Sequence, residues 1–380
     1  MPHILFLFAR YYIFSIFANM KRILIVIAFI LSFCSCRNTG ESGISYNNER
    51  PTFSNPIRQR GSSPSIIRHN GKYYYTQSNY VRVSLWCSET IEDLKTAEER
   101  VVYSPENTYY ISAPILRRLG DKWYIYYSSE GKDMSSREIH VLENPSDDPL
   151  QGAFTHKAVI NTGNQKSIHP QIFENHGRSY LLWSGHDKAQ EHEIDIFRIY
   201  IAELANPWTL ASKPVAILSP KYEWECQWVS NNGLANKSPI YINEAPVAIH
   251  SRDSSKVLLY FAASLTQTSY YCEGMAIAAA QSNLLNPESW TKLPEPVFFQ
   301  NPEVSAYGAG HVSFFHSDSE LYMIYQASPS TERTSTDNRS PHMQLISYDK
   351  TGIPQLGTPV DINVRFPEPY QSISGSILMK

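Results

Sequence analysis

The chain has 380 residues, 42% hydrophobic and 18% charged, enough apolar material for a large core and too little charge for long disordered stretches. A formal net charge of -3, without a long run of either sign, argues against nucleic acid as a partner, since that binding needs clustered Lys and Arg. Aromatic residues reach 13%, and the 25 Tyr suit both pleated strands and stacking on sugars, so composition leaves those two roles open.

Residues 1–36 read as an address. Met20-Lys21-Arg22 gives a short basic segment, and 23–33 gives an apolar run of signal-peptide length. That run is too short to span a bilayer, which takes about 20 apolar residues. A second apolar stretch, 4–17 broken by Arg10, precedes Met20, and the natural start is expected at Met20. Phe33-Cys34-Ser35-Cys36 resembles a bacterial lipoprotein processing site, where small Ser35 before the cleaved bond selects Cys36 for lipidation. The expectation is an exported protein held to a membrane by a lipid anchor, periplasmic or at the cell surface, with residues 37–55 as linker. Plain secretion is the alternative. With Cys36 acylated, Cys87, Cys226 and Cys272 allow at most one disulfide.

From residue 56 onward one pattern recurs five times: a small or polar residue, usually Pro, a short apolar run, a polar turn, then an aromatic strand. The units are 63–76, 113–128, 169–184, 245–261 and 310–325. Asn70-Gly71, Gly120-Asp121 and His176-Gly177 sit between the halves of the first three, residues that tolerate the positive φ of a tight hairpin. Each hairpin is followed by further strand-like segments, such as 81–87, 139–142, 196–202, 275–280 and 343–348. Four strands per unit and five units predict an all-β, five-bladed β-propeller over 56–380. A single β-sandwich would not explain the same hairpin recurring five times. Helical signal is confined to a short surface turn at 91–99.

In such a propeller the residues just before the recurring Pro converge on one mouth of the central channel. They are Ser63, Ser112 with Ala113, His169, Asn243 with Glu244, and Gly310 with His311. Glu244 is the single carboxylate of that set, and a half-buried acid there is expected to hold its proton more tightly than usual. A strand-capping structural Glu is the bland alternative.

These residues resemble glycoside hydrolase family 43, within it the exo-acting α-L-arabinofuranosidase branch, over about 62–349. The resemblance rests on Gly71-Lys72-Tyr73-Tyr74-Tyr75-Thr76, Gly120-Asp121-Lys122-Trp123-Tyr124-Ile125-Tyr126, Tyr222-Glu223-Trp224-Glu225-Cys226, Ile242-Asn243-Glu244-Ala245-Pro246, Tyr307-Gly308-Ala309-Gly310-His311 and Asn338-Arg339-Ser340, in that order. It implies an inverting hydrolysis of an oligosaccharide or polysaccharide, with two carboxyls about 6.5–9.5 Å apart flanking sugar and water. It puts Glu244 at the general acid, Ser63 where the family has the base Asp, and His169 where it has the Asp that tunes the acid. Arg339 and His342 fall in the last substrate-binding motif, where His342 replaces a second Arg, and Ile115 replaces a further carboxylate. The resemblance also makes His311 a channel histidine that holds Ca²⁺ or Na⁺ through water; no cofactor is required.

Ser has no useful basicity near neutral pH, and losing a general base removes about 10²–10⁴ in rate. His169, if protonated beside Glu244, would favour the carboxylate and weaken the acid; across the sugar from it, His169 would itself serve as base. Glu225 and Glu273 are the other acids near in sequence. Trp224 and Trp228, flanking Cys226 in a polar loop, are candidates for stacking on a sugar face, with loop packing as their alternative. Trp123 and Trp183 lie inside strand patterns and belong to the core. The departures leave two readings, a glycosidase with an atypical or missing base and a non-catalytic, lipid-anchored glycan-binding protein.

Overall fold

The computed structural model describes residues 50–370 except 107, 131–135, 165, 187–195, 230–234, 318–319 and 332–337, and for 227–229 and 235–240 it describes the backbone path alone. Signal segment, Cys36 and most of the expected linker lie outside the described residues. Within 50–370 the fold is all-β; the helical turns are short 3₁₀ segments, one of them Glu92–Lys95 inside the surface turn expected at 91–99.

Each recurring unit forms an antiparallel hairpin that continues into outer strands. The first comprises Ser65–His69, Lys72–Thr76, Val83–Ser88 and Arg100–Tyr103, a four-stranded sheet in sequence order. Its turn is Asn70-Gly71, with φ 48° and 79°, between the paired His69 and Lys72. Both central residues carry positive φ, as a two-residue turn matching strand twist requires. The last unit is likewise a separate four-stranded sheet, Tyr307–Ser317, Glu320–Ser328, Ser340–Tyr348 and Pro354–Gln355. The middle three units join into one sheet through short parallel contacts, Lys166 with Arg137 and Ile196 with Tyr241.

The core lies between units rather than within one. Successive residues of a strand point to opposite faces. Tyr73 and Tyr75 therefore pack with Phe315, Tyr322 and Ile324 of the fifth unit, while Tyr74 packs with Trp123, Ile125 and Tyr127 of the second. Tyr124 and Tyr126 meet Leu181 and Trp183 of the third unit. Leu182 meets Leu259 and Phe261 of the fourth, whose Leu258 and Tyr260 meet Leu321 and Met323 of the fifth. Sandwiching on both faces explains why these strands read as unbroken apolar runs, and it assigns most of the tyrosines to packing. Trp123 and Trp183 are both fully buried.

Thr52–Ser54, expected as linker, instead forms a strand antiparallel to Arg365–Pro367. Phe53 is fully buried against the first and fifth units, which holds this segment in the fold. Cys87, Cys226 and Cys272 are all free thiols.

One irregularity recurs in every unit. Ser63, Ala113, His169, Ala245 and His311 have φ of 54°, 47°, 56°, 49° and 55°, left-handed conformations in non-glycine residues. Four of them interrupt the hairpin register, as between Ile168 and Gln171 or between Glu244 and Val247. Such a residue costs on the order of 1 kcal/mol or more. The five sites bring 63–65, 113, 169–171, 245–246 and 311–313 around one narrow enclosed cavity of about 10 Å³, space for roughly one water.

Candidate active site

Above that narrow cavity opens a wider one of about 560 Å³, a size suited to a sugar ligand. Ser63, His169, Glu244 and His311 line it together with Arg137 and Gln326. Among the described lining residues Glu244 is the single carboxylate.

Glu244 is 8% exposed, on the strand of residues Ala235–His250, where the register shift before Val247 interrupts the pairing. The Tyr271 hydroxyl donates to its Oε1 at 3.0 Å. Burial pushes the Glu244 carboxyl up to about 7, against partial opposition from the Tyr271 hydrogen bond and the Arg339 and Arg137 charges. At mildly acidic pH it therefore carries a proton that it can donate.

His169 Nδ1 lies 4.0 Å from Glu244 Oε2, and its ring meets His311 edge to face at 4.8 Å between centroids. Burial, then the neighbouring His311 and Arg137, holds the His169 pKa well below its ordinary 6.5. Burial and Arg339 push His311 down to about 3. Both imidazoles are neutral near pH 7, so His169 puts no positive charge beside the acid there. A separation of 4.0 Å also leaves no room for a sugar between His169 and Glu244.

Ser63 is fixed by three units at once. Its N–H donates to Gln326 Oε1 at 2.8 Å, and its Oγ accepts from the Ser78 hydroxyl at 2.9 Å. Ser78 in turn accepts the Ala113 N–H at 2.8 Å. Arg339, 1% exposed, stands behind the wall, donating to Thr266 Oγ1 at 2.7 Å with its guanidinium 5.2 Å from the Tyr271 ring centroid. His342 does not line the cavity; it stacks on Tyr325 at 5.3 Å and bonds Ser340 Oγ at 3.0 Å.

Trp224 is not in this cavity. Its indole donates to the Pro294 carbonyl at 2.8 Å, its ring stacks against Tyr222 and Phe261, and it borders a separate cleft with Tyr270 and Phe299. The Trp228 side chain lies outside the described residues. Neither alternative acid lines the cavity. Glu225 is fully buried against Lys292 Nζ at 2.5 Å, and Glu273 accepts the Val312 N–H at 3.0 Å. Burial raises the Glu273 pKa well above its ordinary value, and the carboxyl anchors the backbone of the fifth unit through that Val312 contact.

The narrow cavity beneath His311 does not fit a water-coordinated cation. The space beneath holds about one water, whereas Ca²⁺ takes about six to eight oxygens. The Arg339 charge that depresses His311 also opposes a positive ion. Among the described residues no group of three or more His, Cys, Asp or Glu is placed to hold a metal.

Sequence reasoning found Arg339 but missed Tyr271 and Arg137, which also hold and bias Glu244 and its neighbours. Tyr271 stands twenty-seven residues from Glu244 and is brought to it by strand pairing across Ala262.

A proton-donating carboxyl on the floor of a sugar-sized cavity is the leaving-group half of a glycosidase. The chain belongs to the glycosyl hydrolases family 43, whose pattern matches residues 53–354. Such enzymes hydrolyse O-glycosyl bonds with carboxyl acid–base chemistry and need no cofactor. It is 33% identical over 286 residues to an extracellular exo-α-(1→5)-L-arabinofuranosidase of Streptomyces chartreusis, covering 73% of this chain and 82% of the relative. An enzyme of the same description from Streptomyces avermitilis is 31% identical over 81% of this chain and 64% of its own length. The crystal structure of an α-L-arabinofuranosidase from Lactobacillus brevis superposes with a TM-score of 0.73 at 27% identity, covering 82% of this chain and 98% of the other.

Proposed function

We propose that this protein is a five-bladed β-propeller that removes terminal α-L-arabinofuranose residues from a glycan, with Glu244 as general acid. The five shared cores, the last joining the fifth unit to the first, support the blade count. The relatives' names support the sugar. What carries the reading is Glu244, an acid with its pKa raised to about 7 at the floor of the cavity where five units converge.

In this reading Glu244 protonates the leaving oxygen. His169, neutral and adjacent, occupies the tuning position, keeping a charge away from the acid. Ser63 stands at the base position with a hydroxyl in place of a carboxylate, so the attacking water gives up its proton to solvent as it adds, without a protein base to draw it off. Turnover of ordinary arabinofuranosides is therefore slow. The relatives named extracellular support export, and the Cys34-Ser35-Cys36 segment supports a lipid anchor at Cys36.

The test is hydrolysis of a panel of furanosides and pyranosides by the wild type, by Ser63→Asp with His169→Asp, and by that variant carrying Glu244→Gln. The double variant gains about 10²-fold or more, the contribution of one positioned base, and the added Glu244→Gln abolishes the gain. Fast hydrolysis of any substrate by wild type that survives Glu244→Gln would refute the acid assignment. Binding of the sugars without turnover by either the wild type or the double variant would favour the non-catalytic reading, which the lone cavity carboxylate suggests.

A further inference from the structure

Two tyrosines at the mouth of the Glu244 cavity hold positions that core packing does not explain. Tyr80 and Tyr110 line the cavity and are 50% and 43% exposed. Tyr80 lies in a loop of the first unit and Tyr110 near the start of the strand Tyr109–Leu119 of the second, and the two segments are tied by an antiparallel bridge in which the Asn79 N–H donates to the Ile111 carbonyl at 3.0 Å. Antiparallel pairing of 79 with 111 sets residue 80 opposite residue 110. The two rings accordingly meet edge to face, with centroids 5.6 Å apart and planes at 71°.

Tyr110 is also strained. Its φ is 52°, in the left-handed region where a bulky residue is an outlier costing about 1–3 kcal/mol and where glycine sits freely. A half-exposed ring buries little area, so packing offers little in return. The Arg137 guanidinium lies 5.8 Å from the Tyr110 centroid and pairs with the Glu130 carboxylate, fixing a neighbour for the ring on the cavity wall. The rim is thus an ordered aromatic surface in water.

The sugar whose bond is cut must sit at Glu244, beside the narrow channel, so the remainder of the ligand passes outward over the rim. We infer that Tyr80 and Tyr110 form a stacking platform for the sugar on the leaving-group side, selecting chain ends of two or more sugars over a simple glycoside. The ligand is neutral: the C–H face of a sugar ring lies against an aromatic face. This rests on the glycosidase reading of the cavity and adds to it the feature that discriminates among substrates.

The experiment is calorimetric titration of the exported chain in a Glu244→Gln background, which keeps the ligand intact. The probes are methyl α-L-arabinofuranoside and an α-(1→5)-linked arabinotriose. The triose binds more tightly than the methyl glycoside, and Tyr80→Ala or Tyr110→Ala weakens the triose roughly 3- to 10-fold and shrinks the ratio of the two affinities. Tyr110→Gly weakens the triose likewise yet raises Tm by about 2–4 °C, because the strain is relieved. Tyr270→Ala, at an exposed ring bordering the separate cleft, leaves the triose affinity unchanged. An unchanged affinity ratio in both alanine variants, or a Tm lowered by Tyr110→Gly, overturns this inference alone. Failure of every furanoside and pyranoside oligosaccharide in a panel to bind overturns the reading of the cavity, and the platform with it.

Discussion

Replacing Glu244 by Gln should stabilise the protein at neutral and alkaline pH, by an amount the site itself sets. The carboxyl is 8% exposed and titrates near 7, against an ordinary value of 4.5. The folded state thus holds this proton more tightly than the unfolded chain does. That preference contributes fully below about pH 4.5 and is lost as pH rises through about 7. The gap of about 2.5 units, at about 1.36 kcal/mol each, is about 3 kcal/mol of stability surrendered by pH 8. Gln keeps the shape, remains neutral and retains an oxygen for the Tyr271 hydroxyl, so it escapes this loss. His169 and His311 titrate in both proteins, and their contributions largely cancel in the difference. Urea unfolding of wild type and Glu244→Gln at several pH values between 4.5 and 8 reads the effect. The two should be nearly equal at pH 4.5, with the variant ahead by about 3 kcal/mol at pH 8. A difference that does not change with pH, or a wild type that is the more stable at pH 8, would refute the assignment of a buried, proton-holding carboxyl. The measurement needs no substrate.

Tyr271→Phe removes the hydroxyl that donates to Glu244 and favours its charged form, so the Glu244 pKa should move further up, by about one to two units. Carbon-13 titration of the carboxyl reads this directly, and a downward move would contradict the geometry. Lys292→Met leaves the fully buried Glu225 without its cation and should cost about 3–5 kcal/mol in urea unfolding. Adding Glu225→Gln should recover part of that loss, and a cost under about 1 kcal/mol for Lys292→Met would show the pair to be dispensable.

The hairpins were legible because their signals are local. Asn70-Gly71 and His176-Gly177 adopt the positive φ that their residue types tolerate, and Tyr73-Tyr74-Tyr75 alternates between two cores as a period of two requires. Convergence of Ser63, His169, Glu244 and His311 followed from their equal place in each unit. The left-handed conformation at those places was not legible, because Ser, Ala and His stand where glycine would have signalled it. The protonation of His169 was left open, since burial and the facing His311 exist only once the units are assembled. Trp224 resembled a sugar platform from its polar surroundings, yet Pro294, seventy residues away, takes its indole hydrogen. Tyr80, Tyr110 and Arg137 sit between the repeats, where no spacing announces them.

The ribbon of Thr52–Ser54 with Arg365–Pro367 governs when this molecule can finish folding. Arg50 strengthens the junction, donating to Glu320 Oε1 and to the Tyr322 hydroxyl, each at 2.9 Å. Glu368 adds to it by accepting the Ile91 and Glu92 amides at 2.8 and 2.9 Å. These partners are separated by about 270 residues or more of chain, so the contact cannot form until nearly all of the sequence has been made. Until then the first unit presents Tyr73 and Tyr75 with no fifth unit to cover them. Slow assembly and a sticky intermediate follow from so distant a pairing. A holding chaperone would protect this protein for longest at its earliest-made hairpin.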